Sequence, residues 1–203
     1  MRVLKASDAS VREAATIIRE GGIVVYPTDT VYGLGALPTD PDATRRICEI
    51  KGRADKPLPV ICSTIDIAKR IVDFNQMAEK LVEAFWPGAL MLILPAKLNY
   101  PVWVTHGAKT LGVRIPDNVI SRKLAEMSGG VIVSTSANKS GMQPPRDAGE
   151  AIVQIGDEVD LILDAGPSPR KTPSTVIDLT SEELWILRTG PITGKQIKEA
   201  LSV

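Results

Sequence analysis

Short apolar runs alternate with helix signals from one end of the chain to the other, and this alternation limits the fold more than any other feature. Strand-like runs cover Ile23 to Tyr26, Pro57 to Cys62, Leu90 to Leu94, Gly112 to Ile115, Val131 to Thr135, Leu161 to Asp164, Thr175 to Leu179 and Leu184 to Leu187. Several are apolar throughout, as strands covered on both faces are. Helix signals separate most of them. Ser10 and Glu13 form a candidate capping box ahead of Ala14, Ala15, Ile17 and Ile18, and Gly21-Gly22 ends that helix. Asp40-Pro41 suits an N-cap and first turn for a helix running toward Lys51. Met77, Leu81 and Phe85 recur every four residues until Pro87-Gly88 stops the run. Asp147 with Glu150, closed by Gly156, and Thr193 with Gln196 open two more helices. The alternation predicts an α/β fold whose sheet is at least partly parallel. The gaps from Leu161 to Leu179 and from Leu179 to Leu187 leave no room for a helix. Antiparallel pairing is therefore expected near the C-terminus, which makes the sheet mixed. No repeat, charge block or long linker interrupts residues 1–203, so one domain is expected.

Composition narrows the functional classes. The 24 basic and 24 acidic side chains cancel, so no global charge favours nucleic acid or a membrane, although a local basic patch is compatible with that balance. Cys48 and Cys62 have no metal-ligand or CxxC spacing and read as small buried hydrophobes in a reducing compartment. The longest apolar runs are too short to span a bilayer, and the first residues lack the apolar stretch of a signal peptide. The expected setting is soluble and cytoplasmic.

The polar residues with chemical potential cluster where strands end. Lys51-Gly52-Arg53, followed by Lys56, places three cations ahead of an apolar run, with Asp55 as the nearby acid. Pairing with the helix C-terminus or a solvated loop would explain them, but their density favours anion binding. Thr28, Asp29 and Thr30 leave the first apolar strand and are followed by Gly33 and Gly35, which permit close backbone approach. From spacing alone, a simple turn with Asp29 and Thr30 bonded to local backbone is the preferred reading of this stretch. Arg114 interrupts an apolar strand and needs a partner, either an acidic side chain or a ligand carboxylate. Ser134, Ser136 and Asn138 sit just beyond Val131 to Val133, the position where open α/β sheets bind ligands. Ser174 and Arg188 stand at further strand edges, and the lone His106 lies in a loop with no partner in sequence. Without a partnered histidine or a carboxylate pair, hydrolytic triads and glycosidase chemistry are poor candidates. Transfer chemistry driven by positioning and charge neutralisation remains.

In this order, the segments resemble the YrdC/Sua5 family, the threonylcarbamoyl-AMP synthases. The resemblance runs from Gly21 to about Ile192. It rests on PTDTVYGLG at 27–35, KGR at 51–53, WPG at 86–88, TLGVRIP at 110–116, STSANKSG at 134–141, PSTVID at 173–178 and LRTGPI at 187–192. It implies a twisted, mixed α/β sheet of YrdC/RibB-like type with flanking helices and a concave, positively lined cavity. It also implies synthesis of L-threonylcarbamoyl-AMP from L-threonine, bicarbonate (or CO2) and ATP, with release of pyrophosphate and with Mg2+ beside the nucleotide. The product would feed the t6A modification of tRNA through downstream threonylcarbamoyl-transfer machinery, and members of the family are associated with tRNA and double-stranded RNA.

By matching motif, Lys51, Arg53, Ser136 and Asn138 resemble the tetrad that holds ATP. Lys56, Thr110 and Arg188 resemble additional nucleotide contacts, with Pro144 in the loop beside the base. Thr30, Arg114, Ser134 and Ser174 resemble the threonine contacts, the planar fork of Arg114 facing the carboxylate. There are departures: Ile61 stands where the family often has a histidine, and Ala89-Leu90-Met91 follow the WPG motif where the family continues PLT. Two other readings fit the same fold, an RNA-binding module without the reaction and a paralogue that adenylates a carbamate derived from carbamoyl phosphate. Retention of both KxR and SxN weighs against the module, and the absence of an acylphosphatase or zinc-finger segment weighs against the paralogue.

Overall fold

The structure, a computed structural model, describes residues 1–52, 56–170 and 172–202. In chain order its first half runs β1 (Arg2–Lys5), α1 (Asp8–Arg19), β2 (Val24–Tyr26), β3 (Gly33–Gly35), α2 (Pro41–Lys51), β4 (Val60–Cys62), α3 (Ile65–Ile71), α4 (Gln76–Phe85) and β5 (Leu90–Pro95). The second half runs α5 (Val102–Thr105), β6 (Thr110–Arg114), α6 (Val119–Met127), β7 (Val131–Val133), β8 (Thr135–Ser136), α7 (Ala148–Ile155), β9 (Leu161–Asp164), β10 (Thr175–Asp178), β11 (Trp185–Arg188) and α8 (Gly194–Ser202).

Local chemistry sets most of the boundaries. Asp40 caps α2 by accepting from the N–H groups of Asp42 and Ala43 at 2.9 and 3.0 Å, Pro41 takes the first turn, and Gly52 closes the helix at φ +63. Asp147 caps α7 through the Glu150 N–H at 2.8 Å, and Thr193 exchanges hydrogen bonds with Gln196 at the start of α8. The capping box of α1 is Ser7 with Ser10, not Ser10 with Glu13 as the sequence suggested. The Ser10 hydroxyl accepts from the Ser7 N–H at 2.8 Å and faces inward, while Glu13 pairs with Arg2 on the surface. The strand expected from Pro57 starts only at Val60, because Pro57 and Pro59 have no N–H to give to a ladder.

The strands form two hydrogen-bonded sheets, one with the order β1-β9-β2-β3-β8 and one with the order β11-β10-β5-β6-β4-β7. Both are mixed. β1 and β2 run parallel to β9, and β4 runs parallel to β6, whereas β2/β3, β4/β7 and β5/β6 are antiparallel. The antiparallel pairing expected near the C-terminus is present between β10 and β11. It does not include β9, which belongs to the other sheet. The expected run from Val131 to Thr135 is divided at Ser134: β7 pairs with β4 in one sheet and β8 pairs with β3 in the other.

The core follows this division and bridges it. Leu81 and Val82 of α4 pack against Leu90, Leu92 and Ile177 of the six-stranded sheet. Ile47 of α2 and Ile155 of α7 cover Val25, Leu34 and Ile162 of the five-stranded sheet. A third cluster contains Ile18 of α1, Leu124 of α6, Val24 and Leu163 from one sheet, and Ile61 and Ile132 from the other. Because that cluster belongs to both sheets, apolar burial as well as the shared strand holds them at a fixed angle. Cys48 and Cys62 are both buried, and burial pushes the Cys62 thiol up to about 12, which makes it inert at neutral pH. Among the described residues, no helix is long and apolar enough to cross a membrane.

Candidate functional site

A cavity of about 340 Å³ opens at the corner where the chain passes from β7 to β8. Its apolar side is Met91 and Ile93 of β5, with Pro57 and Pro59 ahead of β4. Hydroxyls of Thr28, Thr30, Ser134, Ser136 and Ser174 face it together with Arg114 and Arg188. At the corner the Ser134 N–H donates to the Pro59 carbonyl at 2.8 Å, while the Val133 N–H donates to Ala36 at 2.9 Å. The turn is thus fixed by backbone bonds to both sheets.

Arg114 ends β6 with only 5% of its surface exposed. Its Nε donates to the Gly88 carbonyl at 2.8 Å, Nη1 to Thr30 Oγ1 at 3.0 Å, and Nη2 to Asp29 Oδ1. The acidic side chain is therefore the partner this structure gives Arg114, in a pair buried on both sides. Among the described residues these bonds take three of the five N–H donors of the guanidinium, so one on each terminal nitrogen remains on a side chain that lines the cavity. Thr30 is itself fixed: the Thr28 hydroxyl donates to the Val31 carbonyl at 2.7 Å, so Thr30 Oγ1 donates to Thr28 Oγ1 at 3.0 Å and accepts from Arg114. The local-backbone reading named Asp29 and Thr30, but Asp29 turns to Arg114 and the Thr30 hydroxyl to Arg114 and Thr28; it is the Thr28 hydroxyl that bonds local backbone, at Val31. Burial lowers the pKa of Arg114, Asp29 opposes that shift, and the nearby Arg170 adds to it.

Arg188, the last residue of β11, faces the same cavity. It donates through Nε to the Ser174 carbonyl at 2.9 Å and through Nη2 to Ser174 Oγ at 3.2 Å. Burial and then repulsion from Arg114 lower its pKa. Two guanidinium groups that repel each other across a concave surface favour an anion between them. The position of Ser174 depends on Thr175, whose hydroxyl donates to the Ile192 carbonyl at 2.7 Å and accepts from the N–H groups of Gly190 and Ile192. Gly190 is required there, because a Cβ would lie 2.5 Å from the Pro173 carbonyl oxygen and the Thr175 nitrogen.

Lys51 closes α2 with 2% exposure. Its ammonium donates to the Ser136 carbonyl and, at 2.8 Å, to the Asn138 carbonyl, with Ser136 Oγ and Asn138 Oδ1 each at 3.5 Å. Asn138 in turn donates to the carbonyls of Lys139 and Met142, at 2.7 and 2.9 Å. The loop after β8 is therefore shaped around the lysine.

Eight of the residues singled out from the sequence line the cavity: Thr30, Lys56, Thr110, Arg114, Ser134, Ser136, Ser174 and Arg188. Lys51 and Asn138 lie behind Ser136 rather than on the lining. Pro144 is half-buried in the following loop, next to Pro145, whose carbonyl accepts from the Tyr32 N–H at 2.9 Å. Arg53 lies outside the described residues. Ile61 is buried beside Arg114 in the β4/β6 ladder, and His106 is not on the lining.

Some roles were not visible in the sequence. Gly33 and Gly35 admit the ring of Tyr26: a Cβ would lie 2.8 Å from Tyr26 Cζ at residue 33, which also borders the cavity, and 2.7 Å from Tyr26 Cε1 at residue 35. The Pro87-Gly88 turn stops α4, as expected, but its Gly88 carbonyl also orients Arg114. The sequence suggests local backbone bonds for Asp29 and does not name its pairing with Arg114, although an acidic side chain is one of the two partners expected for that arginine. Among the described lining residues there is no Asp or Glu, and among the described residues no group of three His, Cys, Asp or Glu side chains could hold a metal. This donor set does not fit a magnesium ion held by the protein itself.

The threonylcarbamoyl-AMP synthase of Pyrococcus abyssi is 39% identical over 193 residues, covering 94% of this chain and 57% of its own length. A crystal structure of P. abyssi Sua5 complexed with L-threonine superposes with a TM-score of 0.93 at 37% identity, over 98% of this chain and 59% of that one. Escherichia coli YciO gives 0.86 at 29% identity, with 97% of both chains covered. The chain thus spans a little under three fifths of the Pyrococcus relative. The Sua5/YciO/YrdC family model, described as "Telomere recombination", matches residues 16–190. With that match, and with five of the motif segments meeting at one cavity, the chain belongs to the Sua5/YciO/YrdC family.

Proposed function

We propose that this protein makes L-threonylcarbamoyl-AMP from L-threonine, bicarbonate or CO2, and MgATP, releasing pyrophosphate, as a nucleotidyltransferase of tRNA t6A formation. The observation that carries the reading is the meeting of Arg114 and Arg188 with the hydroxyls of Thr30, Ser134, Ser136 and Ser174 in one cavity. Arg114 would take the amino-acid carboxylate with its two remaining donors, beside Thr30, Ser134 and Ser174. The amine, as the free base, attacks CO2 (from bicarbonate by loss of water) and releases one proton to solvent, giving an N-carboxylate. One oxygen of that carboxylate then attacks the α-phosphorus of ATP, and the bond from α-phosphorus to the bridging oxygen of pyrophosphate breaks. The nucleophile is already an anion, so no histidine base is needed.

On the nucleotide side, Arg188, Lys56 and Thr110 border the phosphates, and Lys51 with Asn138 holds Ser136 in place. Arg53 completes the tetrad and Pro144 flanks the base. Charge neutralisation and positioning supply the rate. Magnesium arrives with ATP as part of the substrate, since the described lining residues include no carboxylate. Residues 1–203 would act as one domain, in the cytoplasm, handing the product to threonylcarbamoyl-transfer machinery that acts on tRNA. The test is pyrophosphate release from ATP with threonine and bicarbonate supplied together and singly. Turnover that requires both supports the reading. Turnover without threonine, or binding of duplex RNA with no turnover, overturns it.

A further inference from the structure

The Asp29–Arg114 pair forms a wall between two cavities. Arg114 lines the 340 Å³ cavity, whereas Asp29 lines a second one, of about 460 Å³, together with Pro87, Gly88 and Arg170. Asp29 therefore meets the amino-acid subsite only through the arginine. We propose that Asp29 is a positioning and specificity residue: by holding the Arg114 fork and offsetting its charge, it makes the subsite accept a singly charged carboxylate and refuse phosphate. This rests on the assignment of Arg114 to threonine.

The proposed reaction creates the problem that such a residue solves. A triphosphate and a small amino acid share one cavity, and two cationic side chains face it. Arg114 and Arg188 repel each other, and Arg170 stands close enough to repel Arg114 as well. With no carboxylate at residue 29, this group would attract the most highly charged anion present, which is a phosphate rather than an amino acid. Asp29 cancels the charge of the arginine at the amino-acid end. Arg188, by contrast, is held by the neutral oxygens of Ser174 and keeps its full charge. Gly88, Thr30 and Asp29 engage three of the five donors, leaving one N–H on each terminal nitrogen. Two donors suffice for a bidentate carboxylate, and because the same fork could also take phosphate, the refusal of phosphate comes from the charge that Asp29 offsets.

The experiment measures pyrophosphate release by the wild type, Asp29→Asn and Asp29→Glu, varying threonine, ATP and added inorganic phosphate. In Asp29→Asn the KM for threonine should rise about tenfold or more, with the KM for ATP unchanged and inorganic phosphate now competing with threonine. Asp29→Glu keeps the charge but displaces the fork, so its KM for threonine should rise while phosphate remains excluded. A folded Asp29→Asn variant with the wild-type KM for threonine and no inhibition by phosphate overturns the proposal. An equal rise in both KM values also overturns it, because that marks a general loss of structure. If Asp29→Asn does not fold, the glutamate variant decides: competition by phosphate there, or an unaltered KM for threonine, is the overturning result. Threonine-independent behaviour of the wild type would instead defeat the functional reading itself.

Discussion

Arg114 and Arg188 face one cavity with the same charged group in opposite settings. Arg114 is buried and paired with a carboxylate, and three of its donors are fixed. Arg188 lies on an exposed edge strand, its side chain donates to the serine before β10, and among the described residues it has no carboxylate partner. The contrast shows that two arginines on one surface can read different ligands. The neutralised fork suits a singly charged carboxylate, and the uncompensated one favours the higher charge.

The most severe way to break this comparison is Arg114→Ala. It leaves Asp29 charged, buried and alone, and should cost about 3–5 kcal/mol of stability, measured by urea unfolding. An unaltered midpoint would show that the pair is not a buried unit. Lys51→Ala comes next. Turnover should fall about 100- to 1000-fold while the circular dichroism remains native, because the Ser136–Asn138 loop loses the ammonium around which it is shaped. Full activity would remove Lys51 from the site. Arg188→Ala should separate the two arginines: the KM for ATP rises about tenfold and unfolding changes by no more than about 1 kcal/mol. A larger effect on threonine than on ATP would reverse the roles given to them. Thr30→Val is milder, removing one acceptor from the fork at a cost of about 1 kcal/mol, with the KM for threonine raised and that for ATP unaltered.

The smallest effect lies in the core, away from both arginines. Burial pushes Cys62 and Tyr100 up to about 12. In the unfolded chain both groups ionise at lower pH, so above about pH 9 the unfolded state sheds protons that the native state keeps. Stability from these groups is complete below that pH and is lost as pH rises toward 12. A urea midpoint that falls between about pH 8 and about pH 10.5 is the expected result, and a constant midpoint would contradict it.

Much of the molecule was legible because local rules govern it. The apolar runs at 90–94 and 161–164 became strands, and the four-residue recurrence of Met77, Leu81 and Phe85 became α4. Asp40, Asp147 and Thr193 cap helices as their neighbours indicated. What the sequence hid is non-local. Nothing in the run from Val131 to Thr135 announces that its two ends join different sheets, since pairing partners lie far along the chain. The glycines at 33 and 35 signalled close approach but not that the ring of Tyr26 does the approaching. Eight of the singled-out site residues line one cavity, whereas the partner of Arg114 went unnamed because an ion pair spanning 85 positions has no local signature.

The strand broken at Ser134 carries a mechanical consequence. Residues 131–133 are tied to one sheet and residues 135–136 to the other, and the turn between them is bonded on both sides, by the Ser134 N–H to Pro59 and the Val133 N–H to Ala36. The hydroxyls of Ser134 and Ser136 are therefore anchored to different plates, so the rim they form keeps its shape only while the apolar cluster common to both plates stays packed.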